Sequence, residues 1–117
     1  MTEPVVAWVR SPDADTAVFG LVVSGDHPAF AGHFPGTPIL PGVVQIDWAV
    51  RLADAHFGLN LAAARHFQVK YRRVITPDSP DVTLTLSLDR AKGTVGFTFA
   101  TGGVAVSTGR ITLPAEP

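Results

Sequence analysis

The chain has no cysteine. Disulfides, thiolate catalysis and a Cys-based zinc site are therefore excluded. Charge is scarce as well. Asp, Glu, Lys and Arg make up 16% of the residues and net −1, against about a quarter in an average globular chain. No basic run interleaves with aromatics, so nucleic acid is not an expected partner. No apolar run is long enough for a membrane span, and the opening MTEPVVAWVRSPDAD holds none long enough for a signal peptide. The expectation is a cytoplasmic protein with no membrane span. Repeats, low-complexity stretches and linkers are also missing, so residues 1–117 read as a single domain large enough for one core. With 46% hydrophobic residues and so little charge, more apolar surface remains than a monomer normally covers. That favours a homodimer or a heterodimer.

What is present is mostly short, β-branched and punctuated. Val5 to Arg10 and Thr16 to Val23 read as strands bounded by Pro, Asp and Gly. From Gly42 to about Phe57 runs the one convincing helical period. Val43, Ile46, Ala49, Val50, Ala53 and Phe57 share a face, and Gly58 is a natural stop. His66 to Tyr71 reads as a strand and Thr76 to Pro80 as a turn. Val82 to Leu88 alternates strictly, with the leucines inward. Thr94 to Thr101 and Val104 to Leu113 follow, joined by Gly102-Gly103, a hairpin signal. The order β, β, loop, helix and four β predicts an α+β layer arrangement. A single sheet buries only one face on one helix, so an edge or the free face needs a partner.

Between the second strand and the helix lies H-P-A-F-A-G-H-F-P-G-T-P-I-L-P-G-V-V-Q-I-D, residues 27–47. A loop this rich in Pro and Gly is costly unless its shape is used. It presents His33, and the helix after it carries a lone acid, Asp47, among Val43, Ile46 and Val50. A histidine and a carboxylate held near apolar side chains suit general acid/base work. His27, His56 and His66 lack such context and read as surface or packing residues. Asp54, nearer the helix end, is expected to be exposed. Lys70, Arg72 and Arg73 form a basic cluster, most simply a solvated strand face.

The motif H-F-P-G-x-P-x-x-P-G-V, with an acid fourteen positions after the histidine, resembles the signature of the hotdog-fold 3-hydroxyacyl-(acyl-carrier-protein) dehydratases. Val69 to Val74, then Pro77-Asp78, are similar to that family's KFRRPV strand and PGD turn, and the likeness spans roughly residues 16–113. It implies an antiparallel sheet wrapped around one long central helix, with active sites formed across a dimer interface. Two positions depart from the pattern. Asp47 stands where the main elongation enzymes carry Glu and the dehydratase-isomerase branch carries Asp. Arg51 stands where both branches usually carry Gln. The D-W-A-V-R-L-A run resembles the small dehydratase-like proteins of aryl-polyene and related pigment pathways.

The resemblance implies dehydration of a (3R)-3-hydroxyacyl thioester to the trans-2-enoyl thioester, with the acyl chain on the phosphopantetheine arm of an acyl carrier protein. His33 would be the base at C2, and Asp47 would protonate or hydrogen-bond the leaving hydroxyl. The Gly42 N–H, at the start of the helix, would polarise the thioester carbonyl. Phe34, Pro41, Val43, Trp48 and Arg51 would line the substrate pocket, with Phe30 and Phe67 as further aromatic walls. No metal or organic cofactor is needed. The basic cluster would otherwise meet the acidic carrier or its phosphate. At i+4, Arg51 can pair with Asp47 and favour the charged carboxylate, leaving His33 to move the protons. A thioesterase, a dehydratase-isomerase, and a non-catalytic or partner-dependent hotdog subunit stay open as alternatives.

Overall fold

The computed structural model describes residues 3–23, 39–61 and 66–114. Six strands and one helix follow in the order β1 (Val5–Asp13), β2 (Thr16–Val22), α1 (Gly42–Phe57), β3 (His66–Tyr71), β4 (Thr83–Asp89), β5 (Thr94–Thr101) and β6 (Val104–Thr112). They form one sheet in the order β1-β2-β4-β5-β6-β3, and every neighbouring pair is antiparallel.

Local chemistry explains the strand ends. β1 continues through Pro12 to Asp13, past the expected stop at Arg10, because it is an edge strand whose register shifts between Arg10 and Asp13. The following turn is held by Ser11 Oγ donating to the Asp13 and Thr16 carbonyls, and by the Asp15 N–H donating to Asp13 Oδ1. The β5–β6 hairpin turns on Gly102 and Gly103, both with positive φ (55° and 81°), as the two-residue turn demands.

One face of the sheet is the core. Ala17, Phe19 and Leu21 of β2, Leu84, Leu86 and Leu88 of β4, and Val95, Phe97 and Phe99 of β5 are buried there. The α1 side chains that close over them are Val44, Gln45, Trp48, Ala49 and Ala53. Of the face expected from the sequence, Ala49 and Ala53 do lie inward. Val43, also expected inward, is 69% exposed, and Ile46, Val50 and Phe57 are only partly buried. The buried face is thus turned toward Val44, Gln45 and Trp48, and apolar residues cover more of the helix than one stripe. The stripe that packs on the sheet combines one large residue, Trp48, with the small Ala49 and Ala53, which let the helix backbone approach closely.

The C-terminus of α1 ends on Gly58 in the left-handed region (φ 68°), whose N–H donates to the Asp54 carbonyl. Asp54 is not the exposed acid expected. It is half-buried and accepts the Leu61 N–H at 2.7 Å, tying down the segment after the helix. His56 is exposed and stacks edge-on against Phe19 and Phe57, a packing role. Apolar side chains remain at both sheet edges, Val5 and Val9 on β1 and Phe67 and Tyr71 on β3.

Candidate active site

The N-terminus of α1 is built without a side-chain cap. Pro41 is the N-cap, in extended conformation (φ −60°, ψ 146°). Its carbonyl accepts the N–H of both Val44 and Gln45 at 3.1 Å. The N–H groups of Gly42 and Val43 find no acceptor among the described residues. Unpaired amides at a helix start, aligned with the dipole, favour developing negative charge.

Gly42 opens on a cleft of about 290 Å³ lined by Ile39, Leu40, Gly42, Gln45, Tyr71, Arg72, Arg73 and Val74. The Tyr71 ring lies directly over Gly42. A Cβ added there would stand 2.5 Å from both Tyr71 Cζ and its hydroxyl oxygen. Partial burial pushes the Tyr71 phenol above its ordinary range, so at neutral pH it is an un-ionised hydroxyl that can donate. Gly42→Ala is expected to keep the fold, since Tyr71 is half exposed and its ring can give. Ala is also the better helix former. Turnover should fall by roughly 10²-fold, the order expected when a reacting group is misplaced by an ångström. Comparing thermal unfolding with kcat checks this; wild-type turnover would remove the close approach at Gly42 from the site.

Asp47 is five residues further along α1. Its side chain is 21% exposed and accepts the Arg51 Nε–H at 2.8 Å. Arg51 Nη1 also reaches Glu3 Oε1 at 3.3 Å, so one guanidinium serves two carboxylates. Arg51 lines a second groove, of about 550 Å³, with Glu3, Pro4, Leu52, Asp54 and Ala55. Asp47 lines neither cleft. Within one chain, then, Gly42 and Arg51 line different concavities.

The other residues expected at the site divide plainly. His33 and Phe34, with Phe30, lie outside the described residues. Trp48 is fully buried in the core cluster and lines neither of the two clefts described above. Val43 points outward near Asp47, Pro41 shapes the helix start, and Phe67 is exposed on β3. Arg72 and Arg73 flank the Gly42 cleft, whereas Lys70 lies with Gln68, Thr108 and Arg110 along a separate groove. No group of residues with metal-ligand character occurs among the described residues. No helix among them is long and apolar enough to cross a membrane.

Sequence reasoning missed Tyr71, Gln45 and Ser107. Gln45 is 2% exposed and Ser107 fully buried. Ser107 Oγ donates to Gln45 Oε1 at 2.7 Å, and Gln45 Nε2 donates to the Leu40 carbonyl at 3.2 Å. The available signal was a lone amide one turn before Ala49, on the stripe of Trp48 and Ala53.

Comparisons with known proteins agree on one relationship. A family model described as ApeI-like, ApeI dehydratase, matches residues 9–110. Among curated relatives, the 3-hydroxyacyl-(acyl-carrier-protein) dehydratase FabZ of Roseobacter denitrificans is 30% identical over 115 residues, covering 89% of this chain and 74% of that protein. FabZ of Rickettsia canadensis is 27% identical over 97 residues, covering 74% and 68%. Among solved structures, the dehydratase heterocomplex ApeI:P of Xenorhabdus doucetiae contains a chain that matches with a TM-score of 0.83 at 27% identity. The match covers 96% of this chain and 98% of that one. An uncharacterised Erwinia carotovora protein matches with a TM-score of 0.72 at 28% identity, covering 95% of each chain. The single helix on a six-stranded antiparallel sheet is a hotdog fold.

Proposed function

This chain belongs to the ApeI-like dehydratase family, and from that premise we propose that it dehydrates (3R)-3-hydroxyacyl thioesters on an acyl carrier protein to trans-2-enoyl thioesters. The observation that carries the reading is the uncapped α1 N-terminus at Gly42, opening on a cleft edged by Tyr71, Arg72 and Arg73. The Gly42 N–H would bind the thioester carbonyl and stabilise the enolate as the C2 proton leaves; one such donor is typically worth about 2.7–4 kcal/mol. His33 takes that proton, the C2–C3 double bond forms, and the C3 hydroxyl leaves as water with a proton returned by the imidazolium. Asp47, ion-paired with Arg51 at 2.8 Å, accepts a hydrogen bond from the C3 hydroxyl and orients it. An ion-paired carboxylate suits that task better than proton donation. The scheme uses no metal or organic cofactor.

Gly42 lines one cleft, and Arg51, the ion-pair partner of Asp47, lines another, which supports an active site completed by two hotdog chains. The exposed apolar residues of β3 and the outward stripe of α1 support the same reading. The guanidinium groups of Arg72 and Arg73 suit the phosphate of a phosphopantetheine arm. An aryl or polyene acyl chain belongs to the same proposal, because the D-W-A-V-R-L-A run resembles the small dehydratase-like proteins of pigment pathways. A second reading, a subunit active only beside a different hotdog chain, is favoured by one observation: the similar Xenorhabdus chain comes from a heterocomplex.

The test is loss of water from a carrier-bound 3-hydroxyacyl substrate, read by intact mass, with His33→Ala alongside. Loss that disappears in the variant is the expected result. Loss seen only after a second hotdog protein is added selects the partner-dependent reading. No loss with aliphatic and aryl chains, alone or paired, would overturn both.

A further inference from the structure

We propose that Gln45 is a positioning residue that fixes the direction of the Gly42 N–H through a side-chain clamp buried under the start of α1. The proposal rests on the dehydratase reading for its catalytic consequence, and on geometry alone for the clamp.

Each torsion leading to Gly42 is held by a named contact. The Leu40 N–H donates to the Ile75 carbonyl at 2.8 Å. The Leu40 carbonyl accepts from Gln45 Nε2 at 3.2 Å, which sets the plane of the peptide entering Pro41. The proline ring then locks φ at −60°. The Pro41 carbonyl accepts two helix amides at 3.1 Å, fixing the peptide that ends in the Gly42 N–H. Of these restraints, one comes from a side chain, and it is anchored to the sheet by the 2.7 Å bond from Ser107 Oγ.

The sheet is shaped to supply that anchor. Between Phe99 and Ala100 the β5–β6 register shifts, so that Ala105 and Ser107 face neighbouring residues of β5 and Val106 is the extra residue. Val106 and Ser107 are consequently both buried, although adjacent strand residues normally alternate. The freed Val106 carbonyl accepts the Arg72 and Arg73 N–H groups at 2.8 and 3.1 Å. One irregularity thus aims Ser107 at Gln45 and also steers the segment that carries Arg72 and Arg73 along the cleft.

Stability does not account for the pair. Replacing two buried hydrogen-bonded partners together by apolar groups of similar shape is often nearly neutral, whereas removing one strands the other. An apolar pair would hold α1 on the sheet as well; only the amide can also hold the Leu40 carbonyl.

Two variants separate the roles. Gln45→Leu strands Ser107 Oγ and the Leu40 carbonyl and is expected to lower Tm. Gln45→Leu/Ser107→Ala relieves the stranded hydroxyl and is expected to regain part of that Tm, while the Leu40 carbonyl stays unpaired. Its kcat on carrier-bound substrate should nevertheless stay down by about tenfold or more, with KM within about twofold, because misplacement costs rate more than binding. Recovery of kcat together with Tm would overturn the proposal. A second readout does not depend on turnover. In 15N-labelled protein, the assigned Gly42 amide should give one sharp resonance in the wild type and a broadened or shifted one in the double variant. An unchanged Gly42 resonance would overturn the clamp whatever the activity, whereas an inactive wild type with a disturbed Gly42 would overturn the dehydratase reading alone.

Discussion

Asp47→Asn is expected to lower turnover on a carrier-bound 3-hydroxyacyl substrate by about 10²-fold, the order for a reacting group that is no longer held in place, with Tm nearly unchanged. The side chain is 21% exposed, and its recorded partner is Arg51, itself 38% exposed. Pairs this open to water contribute about 0–1 kcal/mol, so the fold has little to lose. Asparagine keeps the shape and one oxygen acceptor but loses the negative charge that holds the Arg51 Nε–H at 2.8 Å. Arg51→Gln belongs beside it. If Arg51 acts by holding the carboxylate in its orienting rotamer, that variant should lose about tenfold in kcat with KM within about twofold. A glutamine variant with wild-type kcat would remove Arg51 from the scheme. An asparagine variant that keeps more than a tenth of wild-type turnover would do the same for Asp47.

The sheet was readable because its signals are local. The leucines of β4 alternate strictly, and two glycines punctuate the β5–β6 hairpin. The helix bounds follow from Pro41 at one end and Gly58 at the other. Each of these is a short-range steric or solvation effect written into neighbouring residues. The helix face was readable only in part, through Ala49 and Ala53. Val43, Ile46 and Val50 make as good a stripe as Val44, Trp48 and Ala49, and periodicity cannot tell which of two apolar stripes meets the sheet. Side-chain volume decides it, with Trp48 filling the layer while Ala49 and Ala53 admit the backbone.

The site was half legible for a related reason. The Gly42 amide follows from Pro41 ahead of a helix, and the Asp47–Arg51 pair follows from i, i+4 spacing. Both depend on residues close in the chain. Tyr71 over Gly42 and Ser107 on Gln45 bring together residues far apart in sequence, the second through a strand bulge that no composition rule foretells. One step along a helix turns a side chain by about 100°. Asp47 and Trp48 therefore face different sides, one toward Arg51 and one into the core.

That division between core and site predicts a contrast along the helix. Trp48→Ala is expected to cost about 3–5 kcal/mol, the range for emptying a buried aromatic position, out of a total that for most domains is about 5–15 kcal/mol. At roughly 4 °C per kcal/mol for a chain of this size, Tm should fall by about 12–20 °C. Trp48 is fully buried in the core cluster that also holds the leucines of β4 and the phenylalanines of β5, and the neighbouring Ala49 and Ala53 are too small to close the space it leaves. Trp48→Phe should recover a good part of the loss by refilling the cavity. Val43→Ala, at 69% exposure, should change the stability of a single chain by no more than about 0.5 kcal/mol. Should it cost more, the loss must come from a second hotdog chain covering that stripe, and the Tm difference would then depend on protein concentration. A Trp48→Ala variant that melts within a few degrees of wild type would remove Trp48 from the packing that holds α1 in place.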